Sequence, residues 1–325
     1  MRHRKQRASK DSRLRVAAII FTLAVMAVLA VLVACPPPAR KLAGPSISAS
    51  PPTASENPPG PPPKPDRARS VSVESGGTET APLPEQVEPR GMLAVILDDA
   101  GYSLQELQPF LALPGPLTVA VLPNLPHSAE AARRVLSAGK DLILHCPMEA
   151  NGGEDPGPGA IRVGMSEAEI DRTLAADFAS VPGARGMNNH MGSRATADPA
   201  LMEAVLGYLK RQGLFLVDSR TTALTVAPAI ASRLGVPFLQ RNLFIDDERD
   251  EKAVADAFNV GIRQARVLGT AVVIGHVQNK VVLDILRTGQ KELVQSGVRL
   301  ARLEEIMTEN RVSQNDKVRA GARFF

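Results

Sequence analysis

The chain has 325 residues, 38 Lys and Arg against 34 Asp and Glu, a net charge of +4 and a pI of about 9.2. The basic excess excludes no soluble enzyme class and does not point to nucleic acid. It sits at Arg2, Arg4, Lys5, Arg7, Lys10, Arg13 and Arg15, ahead of the first apolar run, where it acts as a topology signal. Two cysteines, Cys35 and Cys146, lie in unrelated parts of the chain and exclude a disulfide framework.

Residues 1–15 read as a basic cytoplasmic segment. Residues 16–34 are an unbroken apolar run, long enough as a helix to cross a hydrocarbon core of roughly 30 Å. Basic residues before it and few after it put the N-terminus in the cytoplasm and the remainder outside. The expectation is a bacterial inner-membrane anchor carrying a periplasmic domain. Leu32-Val33-Ala34-Cys35 allows an alternative, a lipoprotein signal cleaved before Cys35. Residues 35–90 are rich in Pro, Ser, Gly and Thr and cannot bury enough apolar surface to offset ordering, so a disordered linker is expected.

Residues 91–310 change to short apolar runs alternating with amphipathic stretches. The strands predicted are 93–97, 117–122, 141–145, 184–188, 215–218, 237–239, 270–275 and 298–301. Ser103 with Glu106, and Ser166 with Glu169, have capping-box spacing, and Asp198-Pro199 pairs a cap with a proline at the first helical position. About eight strands alternating with helices predict an α/β fold, with a parallel sheet closed or nearly closed into a barrel. Residues 311–325 carry no periodicity and are expected to be a disordered tail.

In parallel α/β folds, chemistry gathers where strand C-termini meet the following loops. Here the first predicted strand ends in Asp98-Asp99-Ala100-Gly101 and the third in His145. The fourth leads through Asn188-Asn189 to His190, the fifth ends in Asp218-Ser219-Arg220, and a late one ends in His276. Asp99 alone would read more readily as a cap for the helix near Ser103 than as a ligand. Two adjacent carboxylates in a half-buried position, however, cost stability unless a cation or a proton compensates. His145 alone would pass for a core histidine. Residues 186–193 are too polar and glycine-rich for a core, and Gly275 permits close backbone approach just before His276. Imidazoles with a carboxylate suit Zn²⁺ or a related divalent metal, with three protein ligands leaving a position open and a second carboxylate serving as base. The domain has no G-x-S-x-G, no P-loop and no G-x-G-x-x-G. Metal-assisted hydrolysis is the chemistry expected.

Five stretches carry a family likeness: residues 94–102 around Asp98-Asp99, 142–149 around His145-Cys146-Pro147, 186–194 around Asn188-Asn189-His190, 216–221 around Asp218-Ser219-Arg220, and Ile274-Gly275-His276. In this order, across about residues 92–306, the sequence resembles the divergent polysaccharide deacetylases, YibQ-like relatives of the NodB-type carbohydrate esterases. The resemblance implies a NodB-like irregular (β/α) barrel and a divalent metal, best matched by zinc. It implies Asp98 as general base, Asp99 as metal ligand and His276 as the group that protonates the leaving amine. NodB-type enzymes draw both metal histidines from one H-[ST]-x-x-H segment, and this chain has none, nor any Trp. His145 and His190 therefore complete the ligand set from different strands. His127 is a rival ligand, with Ser128 reading as a helix cap. Glu149, Asn189, Arg194, Asp218 and Ser219 are candidates for contacts to substrate or to the ligating histidines. The substrate implied is carbohydrate, an N-acetylated envelope polysaccharide or peptidoglycan sugar. The alternative is a catalytically weak or inactive carbohydrate-binding module that keeps the barrel.

Overall fold

A computed structural model describes residues 90–311. The basic segment, the apolar run of residues 16–34, the linker before Arg90 and the tail from residue 312 lie outside the described residues. Among the described residues no helix is long and apolar enough to cross a membrane.

The strands and helices alternate in chain order. They are β1 (Gly91–Ala100), α1 (Leu104–Leu111), β2 (Thr118–Val121), α2 (Ser128–Ser137), β3 (Asp141–Met148), α3 (Glu167–Ser180), β4 (Gly186–Met191), α4 (Pro199–Gln212) and β5 (Phe215–Asp218). There follow α5 (Ala227–Leu234), β6 (Phe238–Gln240), β7 (Leu243–Phe244), α6 (Glu251–Leu268), β8 (Thr270–His276), α7 (Lys280–Thr288), α8 (Gln290–Gln295) and β9 (Val298–Leu300). Residues 303–311 are again helical.

Every strand pairing is parallel, in the order β6-β5-β4-β3-β2-β1-β8-β7, with β9 beside the first half of β1. The two ends of this path, β6 and β7, are separated in the chain only by Arg241 and Asn242. Three residue steps span at most about 11 Å. The sheet is therefore curled until its edges nearly meet, a barrel left open at one seam. Asn242 fastens the far side of the seam: its backbone N–H donates to Val272 O at 2.8 Å, and its Oδ1 accepts from Val272 N at 2.8 Å.

The predicted strands are all present, and β7 is additional. Two residues, Leu243 and Phe244, are too short a run for any periodic signal. Three predicted helix starts are formed: Ser103 accepts from Glu106 N, Ser166 and Glu169 cap each other's backbones, and Asp198 caps α4 with Pro199 in the first turn. Ser128 differs from its expected role. It is the first residue of α2 rather than the cap, buried, with its hydroxyl donating to Leu122 O and accepting from Leu125 N.

Side chains alternate between the two faces of each strand. One set, including Leu93, Val95, Leu97, Val119, Leu142 and Leu144, packs outward against the helices. The other set, Ala94, Ile96, Ala120, Ile143, Val217, Leu239, Val272 and Ile274, fills the barrel interior, closed below by Leu303, Ile306 and Met307. Burial on both faces explains why β1 reads as a continuous apolar run instead of an alternating one. Gly91 is needed where β1 crosses α6, since a Cβ there would lie 2.5 Å from Ala265 O.

Candidate active site

The interior file of side chains changes character two residues further up each strand. Ile96, Ile143 and Ile274 are apolar, and the next positions on the same face are Asp98, His145 and His276. On β5 the step from Val217 leads to Ser219, and on β4 Asn188 and His190 occupy the same face. The barrel interior therefore ends in a polar layer at the C-terminal rim, built on an apolar floor. Among the described residues, four other than glycine hold left-handed backbone, and all lie on this rim: Asp99 (φ 63), Asn124 (φ 57), Met191 (φ 54) and Arg220 (φ 49). At Asp99 this turn, with a register irregularity between Leu97 and Ala100, lets the carboxylate reach the face that Asp98 already occupies.

Asp99, His145 and His190 converge. Asp99 Oδ1 lies 3.2 Å from His145 Nε2 and 3.1 Å from His190 Nδ1, and the two nitrogens are 3.0 Å apart. Three ligands of a tetrahedral site with bonds of about 2.0 Å would be spaced by about 3.3 Å. Asp99 Oδ1 is buried without a hydrogen-bond partner, although both nitrogens stand at contact distance. One carboxylate oxygen and two imidazole nitrogens at this spacing fit a divalent cation of the zinc type. Burial works against charge on Asp99, but His145 and His190 outweigh it and hold its carboxyl well below the usual range.

Asn188 is wholly buried and joins this triangle to the other carboxylate. It stands opposite His145 in the β3–β4 register, and its Oδ1 accepts from His145 Nδ1 at 2.8 Å. Its Nδ2 donates to Asp98 Oδ1 at 2.8 Å and to Ser219 Oγ at 3.3 Å. The bond fixes which nitrogen of His145 carries the proton and leaves Nε2 facing Asp99 and His190. Replacing Asn188 by Leu is expected to weaken metal affinity about 10–100-fold, read by competition with a chromogenic chelator. Asp98 itself is buried, and burial together with the adjacent Asp99 raises its pKa against the lowering pull of His145, His276 and Asn188.

His276 faces Asp98 across the β1–β8 register. Its Nδ1 donates to Asp246 Oδ1 at 3.0 Å, and its backbone N–H donates to Asp246 Oδ2 at 3.0 Å. Burial alone would lower its pKa, but the Asp246 bond and the charges of Asp98, Asp246 and Asp99 raise it to about 9. On the remaining side the ring stacks on Phe244 at 5.7 Å, and the Arg241 guanidinium covers Phe244 at 3.7 Å. A histidine pKa raised on folding contributes stability that is complete below about 6.5 and is lost as pH rises through about 9. Activity that needs the imidazolium is expected to fall only as pH rises through about 9, and Asp246→Asn to move that basic limb toward neutral pH. A pH–rate profile identical in the two proteins would remove Asp246 from this role.

The structure thus brings Asp98, Asp99, His145, His190 and His276 together, with Ser219 reaching them through Asn188. The other candidates have local partners. Glu149 accepts from Val163 N and from Arg194, tying the loops after β3 and β4 together. Asn189 takes Ser219 N and donates to Met191 O, and Asp218 accepts from Arg220 N and the Thr225 hydroxyl. His127 stands at the start of α2 and makes no contact with the cluster. Asp246 and Asn188 were not among the sequence candidates. Asp246 repeats the signal that exposed Asp98, an acidic pair after an apolar run, but β7 is too short to be recognised as a strand. Beside the cluster, Asp246, Asp247, Arg249, Gln278 and Asn279 line a cleft of about 480 Å³ that also touches Asp99 and His276.

A curled parallel α/β domain with ionisable groups massed on its C-terminal rim defines the class: a barrel-derived α/β fold whose candidate chemistry sits at the strand ends. The sequence profile of the divergent polysaccharide deacetylases matches residues 95–307, and the chain belongs to that family. It is 36% identical over 201 residues to an uncharacterized protein of Haemophilus influenzae, covering 62% of this chain and 71% of that one. It is 36% identical over 186 residues to the uncharacterized protein YibQ of Escherichia coli, covering 57% and 58%, the latter less than two thirds of YibQ. Among solved structures, an uncharacterized protein of Agrobacterium tumefaciens shares the fold at a TM-score of 0.63 and 20% identity, over 68% of this chain and 93% of that one.

Proposed function

We propose that the protein is a metal-dependent hydrolase that deacetylates an N-acetylated sugar of an envelope polysaccharide or peptidoglycan. The observation that carries this reading is the triangle of Asp99, His145 and His190 with a separate carboxylate, Asp98, and a separate imidazolium, His276, beside it. A divalent cation held by Asp99, His145 and His190 would supply Lewis acidity to the acyl oxygen and acidify water. Asp98, buried and with its pKa raised, accepts the proton of the attacking water as the oxygen adds to the acyl carbon. Asn188 holds the Asp98 carboxylate in place during that transfer. His276, kept protonated by Asp246, gives its proton to the leaving amine as the carbon–nitrogen bond breaks. The products are acetate and a free amino sugar.

The basic residues before residue 16, the apolar run and the Pro-rich linker support an enzyme tethered to the bacterial inner membrane and working in the periplasm, by an uncleaved anchor or by lipid on Cys35. The test is metal content and acetate release by the purified protein, on acetylated chitooligosaccharides and on peptidoglycan. About one divalent metal per chain and metal-dependent acetate release are expected. A protein that takes up no metal and releases no acetate would sink the reading in favour of a binding module.

A further inference from the structure

The strand path ends at β6 on one side and β7 on the other, and no strand closes the seam between them. Along that seam runs a groove of about 710 Å³, in the size range of ligand sites. Arg220 stands at its rim end, Arg241 in the seam and Arg263 on α6, and no Asp or Glu lines it. Outside the groove, arginines such as Arg133, Arg211 and Arg302 are paired with carboxylates, while Arg172, Arg249 and Arg266 stand unpaired singly and not as a group. Among the described residues, no ion pair involves the three arginines of the groove. Carboxamides fill much of the remaining lining. Asn242 spends its Oδ1 on Val272 N, which leaves its Nδ2 as a donor.

The guanidinium forks of Arg220 and Arg263 suit carboxylates, and free amide donors suit hydroxyls. The geometry points to this groove as the binding site of a carboxylate-bearing glycan strand. Its upper end is joined to the catalytic rim. Arg241 Nε donates to Ser219 O at 2.6 Å and its Nη2 to Arg220 O at 3.1 Å, while its guanidinium covers Phe244, whose ring stacks on His276. A strand bound along the seam is thereby coupled, through Arg241 and Phe244, to His276. The link to substrate rests on the deacetylase reading above; the binding itself does not.

The test is calorimetric binding to the metal-free full chain of an oligogalacturonate, which carries a carboxylate on every ring, and of a neutral chitooligosaccharide of equal length. The acidic oligomer is expected to bind at least tenfold more tightly, with an advantage that shrinks as salt is raised. Arg263→Glu, at an exposed helical position, is expected to cut that binding at least tenfold with an unchanged unfolding midpoint. Equal binding of the two oligomers, binding untouched by Arg263→Glu, or polyphosphate binding more tightly than oligogalacturonate would each overturn the assignment. Neither metal nor hydrolysis enters this measurement, so its failure leaves metal content and acetate release to decide the catalytic reading separately.

Discussion

On the proposed metal-dependent reading, Asp99→Asn is expected to abolish metal uptake while leaving the fold intact, and with it at least about a thousandfold of the acetate-release rate. The Asp99 carboxylate is the one anionic member of the triangle, and its Oδ1 is the atom that both imidazoles face. An amide oxygen in its place keeps the shape and loses the charge. Losing even an outer partner of a ligand costs about 10–100-fold in affinity, so losing the charged ligand itself should cost more. Asn is chosen over Ala because residue 99 has φ 63, a left-handed conformation that Asn tolerates and Ala resists by about 1–2 kcal/mol. Asp99→Ala would mix backbone strain with ligand loss. Elemental analysis after dialysis reads the metal, and circular dichroism reads the fold. Full metal content in a folded Asp99→Asn protein would remove Asp99 from the centre and leave His145 and His190 without their carboxylate.

How much of this could be read from sequence follows from local and non-local causes. The polar layer was legible because it obeys a two-residue step: Asp98, His145 and His276 each continue an apolar strand, and their positions at strand ends marked them. Helix starts at Ser103, Ser166 and Asp198 were legible because a cap is a local hydrogen bond. Strand β7 and its Asp246 were not, since two residues carry no period and the strand exists only because β8 offers an edge to it. Asn188 lay inside a stretch recognised as polar, but its importance comes from register. It is opposite His145, 43 residues away in sequence, and its amide reaches Asp98 at 90 residues' separation. The outward turn of Asp218 and Asn189 is equally invisible without the strand face, which a one-residue shift reverses.

On the same reading, Asp98→Asn is expected to separate catalysis from folding more sharply than any other substitution at the rim. Asp98 lies outside the metal triangle, its Oδ2 3.6 Å from His145 Nε2, so an amide there leaves Asp99, His145 and His190 in place. Metal content should stay at the wild-type level. The rate of acetate release should fall by about 10²–10⁴, the range contributed by a positioned general base. Stability should move the other way. A carboxyl whose pKa is raised by burial above its unfolded value destabilises the fold at neutral pH and does so less as pH falls, so its replacement by a neutral amide removes a cost. The metal-free variant is therefore expected to unfold at the same temperature or higher, with Asn188 still able to donate to the new amide oxygen. A purely structural Asp98 would give the opposite pairing, a lower melting temperature with activity retained in the fraction that folds. Loss of activity together with loss of metal would instead place Asp98 among the ligands.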